Sequence, residues 1–157
     1  MPLPQMRPQT LCVAKDISNT LTIPPLRKKG TVNMALHKSG EDYLEAILVI
    51  GKRKAQVRSI DVANELGFSK PSVSRAVSLL KEGGFITVEK DGTLLLTDIG
   101  REKAEDVYGR HCLLTEFFKD ILHVSEENAA EDACQVEHVI SAETYNKLTD
   151  FVKKYKK

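Results

Sequence analysis

Apolar side chains recur at helical spacing through most of the chain from residue 34 onward. The first such run follows Ser39, a residue typical of a helix N-cap, with the acid Asp42 three positions later. We therefore expect a first helix over about residues 40–53 that begins at this cap. Its buried face is predicted to consist of Tyr43, Ile47 and Ile50, at i, i+4 and i+7.

Two shorter helices are predicted next, with a tight turn between them. Ser59 is a candidate cap for the second helix, and Gly67 is a strong stop signal after it. Ser69 is expected to cap the third helix, with Pro71 in the first turn, where proline is tolerated. Two short helices joined by a glycine-bearing turn are typical of a helix-turn-helix. The expected apolar stripes are Ile60, Ala63 and Leu66 on the second helix and Val73, Val77 and Leu80 on the third.

A β-hairpin is predicted directly after the third helix. Residues 85–88 and 93–96 are rich in β-formers, and the Asp91-Gly92 pair between them favours a two-residue type I′ turn. Three helices followed by a hairpin predict a winged helix-turn-helix, a DNA-binding fold, over residues 34–100. The fold class is accordingly mainly α with a small β-hairpin wing.

Residues 101–157 are predicted to form an all-helical second domain. We expect a long helix over about 98–122, capped by Thr97 or Asp98, then a fifth helix after Ser125, over about 126–140, and a sixth after Ser141. Their apolar stripes exceed what three helices bury alone, which favours a homodimer interface. The apolar positions are Val107, Leu114, Phe117, Phe118 and Ile121 on the long helix and Tyr145, Leu148, Val152 and Tyr155 on the last.

The amino-acid composition indicates what kind of protein this is and where in the cell it resides. The 157 residues are 41% hydrophobic and 29% charged, which is typical of a globular protein, and no apolar run reaches the roughly 20 residues of a membrane span. Three cysteines without framework spacing favour a reducing, cytoplasmic location. Residues 1–33 hold five of the six prolines and a net charge of +4. For them we expect either a disordered basic tail or sequence upstream of the true start.

Positive charge is concentrated near the predicted helix-turn-helix, although the whole chain carries only +1. Residues 52–81 hold seven basic and two acidic side chains, which together with the fold indicates double-stranded DNA as a partner. In this interpretation the third helix enters the major groove, where Arg75 reads guanine and Lys70 holds phosphate. The expected DNA-facing residues are Ser69, Lys70, Pro71, Ser72, Ser74 and Arg75.

Three residues of the metal-ligating kind stand together on the predicted fifth helix. Cys134, Glu137 and His138 occupy positions i, i+3 and i+4, so a thiol, a carboxylate and an imidazole share one helical face. The motif is weak alone and needs ligands from elsewhere. The candidates are His111 on the long helix and the pair Asp42 and Glu45 on the first helix.

Each of these residues also has an ordinary structural interpretation. Asp42 can be the capping-box acid for Ser39, and Glu45 a surface acid. His111 can be a hydrogen-bonded core histidine, and Cys134 a small buried hydrophobe.

Taken together, these segments resemble the diphtheria-toxin-repressor and manganese-transport-regulator family of metal-dependent repressors. The resemblance extends from Met34 to the C-terminus. It implies a winged-helix domain, a helical metal-binding and dimerisation domain, and metal-activated repression of metal-uptake genes at a palindromic operator. The segments that carry it stand in the family's order: GEDYLE at 40–45, SKPSVSR at 69–75, RH at 110–111 and DACQVEHVIS at 132–141.

The resemblance also implies a ligand set and a metal. The chain matches the family's manganese branch at Asp42 and Glu45, but that branch has a carboxylate where Cys134 stands. The iron branch has this cysteine but a methionine in place of Asp42. The mixture implies Mn(II) or Fe(II) as the cofactor, with a thiolate that also suits Zn(II) or Co(II). The implied metal ligands are Asp42, Glu45, His111, Cys134, Glu137 and His138.

Two other classes of function remain to be weighed. A winged-helix regulator that senses a non-metal small ligand would use the same DNA-binding fold, with the acids and His138 in structural roles. A metalloenzyme is disfavoured, because the candidate ligands would fill the coordination sphere and no separate acid–base or nucleophile constellation accompanies them.

Overall fold

A computed structural model describes residues 36–156, so the expectations for residues 1–33 lie outside the described residues. The mainly helical class with one small hairpin is confirmed. The chain divides into two compact units between Ala104 and Glu105. No helix within residues 36–156 is long and apolar enough to span a membrane.

The described chain forms six α-helices and two β-strands. In chain order they are α1 (Lys38–Arg53), α2 (Ser59–Leu66), α3 (Lys70–Glu82), β1 (Ile86–Val88), β2 (Leu94–Leu96), α4 (Asp98–Glu116), α5 (Glu126–Val136) and α6 (Ala142–Tyr155).

Helix α1 is buried on all sides over residues 42–50, rather than along one stripe. It begins at Lys38 after His37, whose side chain forms no capping hydrogen bond, so the predicted cap at Ser39 is wrong. Because Asp42 lies inside the helix, its interpretation as a capping-box acid is wrong as well. In the first unit α1 packs against α2, α3 and β2, which places it at the centre of this unit's core.

The helix-turn-helix forms where it was predicted, with one cap reassigned. Ser59 is the first residue of α2, and the cap position belongs to Arg58, whose backbone N–H donates to the Asp61 carboxylate at 2.8 Å. Gly67 ends α2 in the left-handed region, at φ 66°, and the predicted cap at Ser69 is confirmed. The predicted burial of Ile60 is wrong, since this side chain is 44% exposed. The buried face of α2 consists of Val62, Ala63 and Leu66.

The hairpin pairs β1 with β2 in antiparallel register, with Ile86 opposite Leu96. The predicted two-residue type I′ turn is wrong, because the loop is one residue longer. The Glu89 carbonyl accepts the Gly92 N–H at 3.0 Å, and the Glu89 N–H donates to the Thr93 carbonyl at 2.9 Å. Gly92 has φ 85°, so the loop is a turn followed by a glycine bulge. The Asp91 carboxylate accepts the Thr93 N–H at 3.0 Å and holds this longer loop.

The base of the hairpin is fastened to the start of α4. The predicted cap at Thr97 is confirmed, since its hydroxyl oxygen accepts the Gly100 N–H at 3.1 Å and its hydroxyl donates to the Gly84 carbonyl at 2.7 Å. Gly100 packs directly against the Phe85 backbone. A Cβ at this position would stand 1.8 Å from the Phe85 carbonyl oxygen, so only glycine permits the approach.

The second unit has a small apolar core on α4 and α6. Helix α4 passes into a π-helical turn at Phe117–Ile121, and caps at Ser125 and Ser141 are confirmed. Helix α5 ends at Val136, four residues earlier than predicted, because the Val139 and Ile140 N–H groups both close back on the Val136 carbonyl at 3.0 Å. The core consists of Leu113, Tyr145 and Val152, with Phe117, Ile121, Ile140 and Leu148 packed against it.

Candidate metal centre and nucleic-acid interface

The N-terminal half of α3 presents a polar, exposed face. The Ser69 hydroxyl accepts the Ser72 N–H at 3.4 Å, and the two hydroxyl groups lie 2.8 Å apart. Val73 is fully buried and anchors the helix, so that its neighbours point outward. The predicted DNA-facing residues are all exposed: Ser69, Lys70, Pro71, Ser72, Ser74 and Arg75.

Two cations of the basic segment are engaged inside the first unit. The Arg53 guanidinium lies 2.8 Å from the Glu65 carboxylate, and the Lys54 ammonium lies 2.6 Å from that of Asp61. The hydrogen bond from Lys54 holds the pKa of Asp61 below its usual range. These two ion pairs reduce the positive charge that residues 52–81 offer to phosphate.

Two of the candidate metal ligands lie on α1, within the first unit. Asp42 and Glu45 are one helical turn apart and are 6% and 1% exposed, so the interpretation of Glu45 as a surface acid is wrong. A buried carboxylate is costly unless it is neutralised or hydrogen-bonded. Burial raises the pKa of the intervening Tyr43, and the Asp42 charge raises it further.

Four more candidates lie in the second unit, around one buried carboxylate. His111 on α4 brings its Nδ1 to 2.6 Å from Oε2 of Glu137, whose side chain is fully buried. His138 brings its Nε2 to 3.1 Å from the other oxygen, Oε1. The Cys134 sulfur lies within 4.8 Å of a Glu137 carboxylate oxygen. The structure therefore gathers two imidazoles, one thiol and one carboxylate in the interior.

The positions of Glu137 and His138 differ from the predicted ones in one respect. Since α5 ends at Val136, Glu137 is its C-cap and His138 lies in the turn that follows. Glu137 keeps helical dihedral angles, φ −55° and ψ −31°, so the spacing from Cys134 still directs both side chains to one side. The predicted grouping holds although the helix is shorter.

The donor atoms fit a divalent metal ion. Imidazole nitrogen, thiolate sulfur and carboxylate oxygen are ligands that first-row divalent metals accept, and carboxylates such as Asp42 and Glu45 suit hard ions such as Mn(II). The ordinary interpretation of His111 as a hydrogen-bonded core histidine describes the same contact with Glu137. A bound metal ion would use the same nitrogen and oxygen atoms.

A winged helix-turn-helix together with buried groups of side chains that can ligate a metal is typical of metal-responsive DNA-binding regulators. Comparison with known protein families gives the same class for the N-terminal and the C-terminal part of the chain. Residues 35–94 match the iron dependent repressor N-terminal DNA binding domain, and residues 97–157 match the iron dependent repressor metal binding and dimerisation domain. The chain belongs to the iron-dependent repressor family of metal-dependent transcriptional repressors, which are regulators and not enzymes.

Individual relatives are similar over most of the described chain. An HTH-type transcriptional regulator of Methanocaldococcus jannaschii is 30% identical over 77% of this chain and 98% of its own length. The HTH-type transcriptional regulator MntR of Geobacillus kaustophilus is 33% identical over 73% of this chain and 80% of its own. The solved structure of the manganese regulator SloR is similar to this chain with a TM-score of 0.66 at 27% sequence identity. The match covers 73% of this chain and 53% of the SloR chain.

Proposed function

We propose that this protein is a cytoplasmic, homodimeric repressor that binds a palindromic operator when Mn(II) or Fe(II) is bound and controls metal-uptake genes. The carrying observation is the set of buried donors around Glu137, with His111 at 2.6 Å and His138 at 3.1 Å. The similarity to MntR and to the manganese regulator SloR supports a manganese- or iron-type cofactor.

The proposed ligands are Asp42 and Glu45 in the first unit and His111, Cys134, Glu137 and His138 in the second. The first pair lies on α1, which packs against α2 and α3 of the helix-turn-helix. A divalent ion would neutralise these buried carboxylates and favour one arrangement of α1. Metal binding and operator binding are then coupled, by about 1–3 kcal/mol in typical allosteric proteins.

The proposed homodimer rests on exposed aromatic side chains of α6. Phe151 is 49% exposed and Tyr155 57% exposed, and their rings stack at 6.2 Å between centroids. Phe117 meets Phe151 edge-on, also at 6.2 Å. Exposed apolar area of this kind is typical of a protein–protein contact, and the matched family domain is one of dimerisation.

An operator-binding experiment tests the proposal. A mobility shift on a palindromic promoter fragment is run with Mn(II), with Fe(II) under anaerobic conditions, and with chelator. We expect binding with metal that chelator abolishes. The double variant Glu137→Ala/His138→Ala should lose the metal response, whereas Glu131→Ala, an exposed acid on the same helix α5, should retain it.

Two outcomes contradict the proposal. Operator binding that is indifferent to chelator would instead favour a winged-helix regulator of a non-metal ligand. A full metal response in the Glu137→Ala/His138→Ala variant would show that the ligand assignment is wrong.

A second experiment ranks the metals by titration with Mn(II), Fe(II) and Zn(II) at buffered free concentrations. Cys134 is expected to favour the softer ions.

A further inference from the structure

Arg110 links α4 to the short turn between α5 and α6. Its Nη1 donates to the Ile140 carbonyl at 3.0 Å, and its Nη2 lies 3.2 Å from the Asp106 carboxylate one helical turn earlier. The guanidinium also lies over the Tyr145 ring, 5.5 Å from its centroid. The guanidinium therefore makes three separate contacts within the second unit.

The neighbouring residue on α4 holds the other end of the same turn. His111 contacts Glu137, at the start of the turn, and Arg110 contacts Ile140, three residues later. Successive side chains on a helix diverge by about 100°, so Arg110 and His111 leave α4 in different directions. His138 lies in sequence between these two residues, Glu137 and Ile140.

We propose that Arg110 is a positioning residue for metal binding, which sets the orientation of Glu137 and His138 through the Ile140 carbonyl. The proposal rests on the proposed function, because it concerns the same ligands. Arg110 lies in a segment of family resemblance, but its spacing gives no sign of this role, since its partner stands 30 residues away. Residues that orient metal ligands from outside typically change metal affinity by about 10–100-fold when they are replaced.

The test replaces Arg110 with methionine, which keeps a long apolar side chain and removes the guanidinium. Two controls accompany it. Asp106→Asn removes the ion pair but leaves the bond to Ile140, and Arg101→Met makes the same substitution at an exposed position of α4. Arg110→Lys retains the charge and a single donor group, and it serves as the rescue variant if Arg110→Met folds poorly.

Two readouts are measured on the full chain. The first is hydrogen exchange of the metal-free protein at the Val139 and Ile140 amides, which bond to the Val136 carbonyl. We expect exchange about tenfold or more faster in Arg110→Met, with the Ala129 amide at the start of α5 unchanged. The second is the Mn(II) dissociation constant from competition with a fluorescent chelator, which should rise at least tenfold, with a smaller rise in Arg110→Lys and none in the controls.

The outcomes separate this proposal from the one on which it rests. Wild-type Mn(II) affinity in Arg110→Met overturns the positioning role, whether or not the turn exchanges faster. A wild-type protein that binds neither Mn(II) nor, under anaerobic conditions, Fe(II) overturns the proposed function and the positioning role together. A raised dissociation constant that Arg110→Lys partly restores, with Asp106→Asn unaffected, establishes that the bond to Ile140 serves the ligands.

Discussion

Gly100 allows a strong prediction about stability, because two glycines of α4 should respond in opposite ways to the same substitution. In Gly100→Ala the new Cβ would stand 1.8 Å from the Phe85 carbonyl oxygen and 2.8 Å from its carbon. In Gly109→Ala the nearest atom is the Tyr145 hydroxyl oxygen, at 3.4 Å. The first substitution collides with backbone, whereas the second meets only the end of a side chain.

The cost at Gly100 follows from what must move. To reach 3.0 Å, the hairpin base and α4 have to separate by about 1.2 Å. That movement lengthens the bonds from the Thr97 N–H and hydroxyl to Phe85, at 3.0 and 3.1 Å, and the bond from the hydroxyl to Gly84. With about 1 kcal/mol for each of these three weakened bonds and 1–3 kcal/mol for overpacking, we expect a loss of roughly 4–6 kcal/mol.

The assay is urea unfolding of the full chain followed by circular dichroism. Gly109→Ala should be neutral or more stable by up to about 1 kcal/mol, since alanine favours a helix over glycine. Gly100→Ala should unfold at markedly lower urea and bind operator weakly, because the wing shares the displaced hairpin base. If both variants show wild-type midpoints, the close approach of Phe85 to α4 does not exist and the argument is wrong.

Further predictions concern the DNA-binding unit. Ser69→Ala should destabilise the protein by about 1 kcal/mol through loss of the α3 cap, and Ser69→Asp, measured by the same urea unfolding, should restore it. Lys70→Gln should reduce the slope of log operator affinity against log salt by about 1. Lys54→Gln should change this slope less than Lys70→Gln does, because Lys54 is paired with Asp61. An equal change of slope in the two variants would contradict this prediction. Since the folded pKa of Asp61 is lowered, the stability it contributes is complete above its ordinary value of 3.8 and is lost as the pH falls through the folded pKa. Wild type and Asp61→Asn should therefore differ in unfolding free energy at pH 6 and converge in strong acid.

Local signals in the sequence predicted most element boundaries, and the misses have local causes. Ser69, Ser125 and Ser141 cap helices as expected, because each hydroxyl needs only the amide three residues ahead. Ser59 does not act as a cap, since the Asp61 carboxylate already accepts the Arg58 N–H. The hairpin loop was mispredicted because Asp91 bonds to Thr93 and stabilises a longer turn than the Asp-Gly pair favours.

Spacing along the sequence predicts the contacts of the candidate site within one helix but not those between helices. Spacing along one helix placed Cys134 and Glu137 on one side, because three residues make about one turn. No spacing rule relates His111 to Glu137, which stand 26 residues apart, or Arg110 to Ile140. Those contacts depend on how α4 packs against the end of α5, and hence on the whole core of the second unit.

The geometry around Glu137 bears on both interpretations of His111, as a core histidine and as a metal ligand. A core histidine needs one hydrogen-bond partner, and the Glu137 carboxylate at 2.6 Å provides it. That need does not explain a second imidazole at 3.1 Å from the same carboxylate, or a thiol within 4.8 Å of it. Each buried ionisable group adds a desolvation cost, which apolar residues of similar size would avoid. These costs for four such groups around one point are the physical reason for proposing that a bound metal ion uses them.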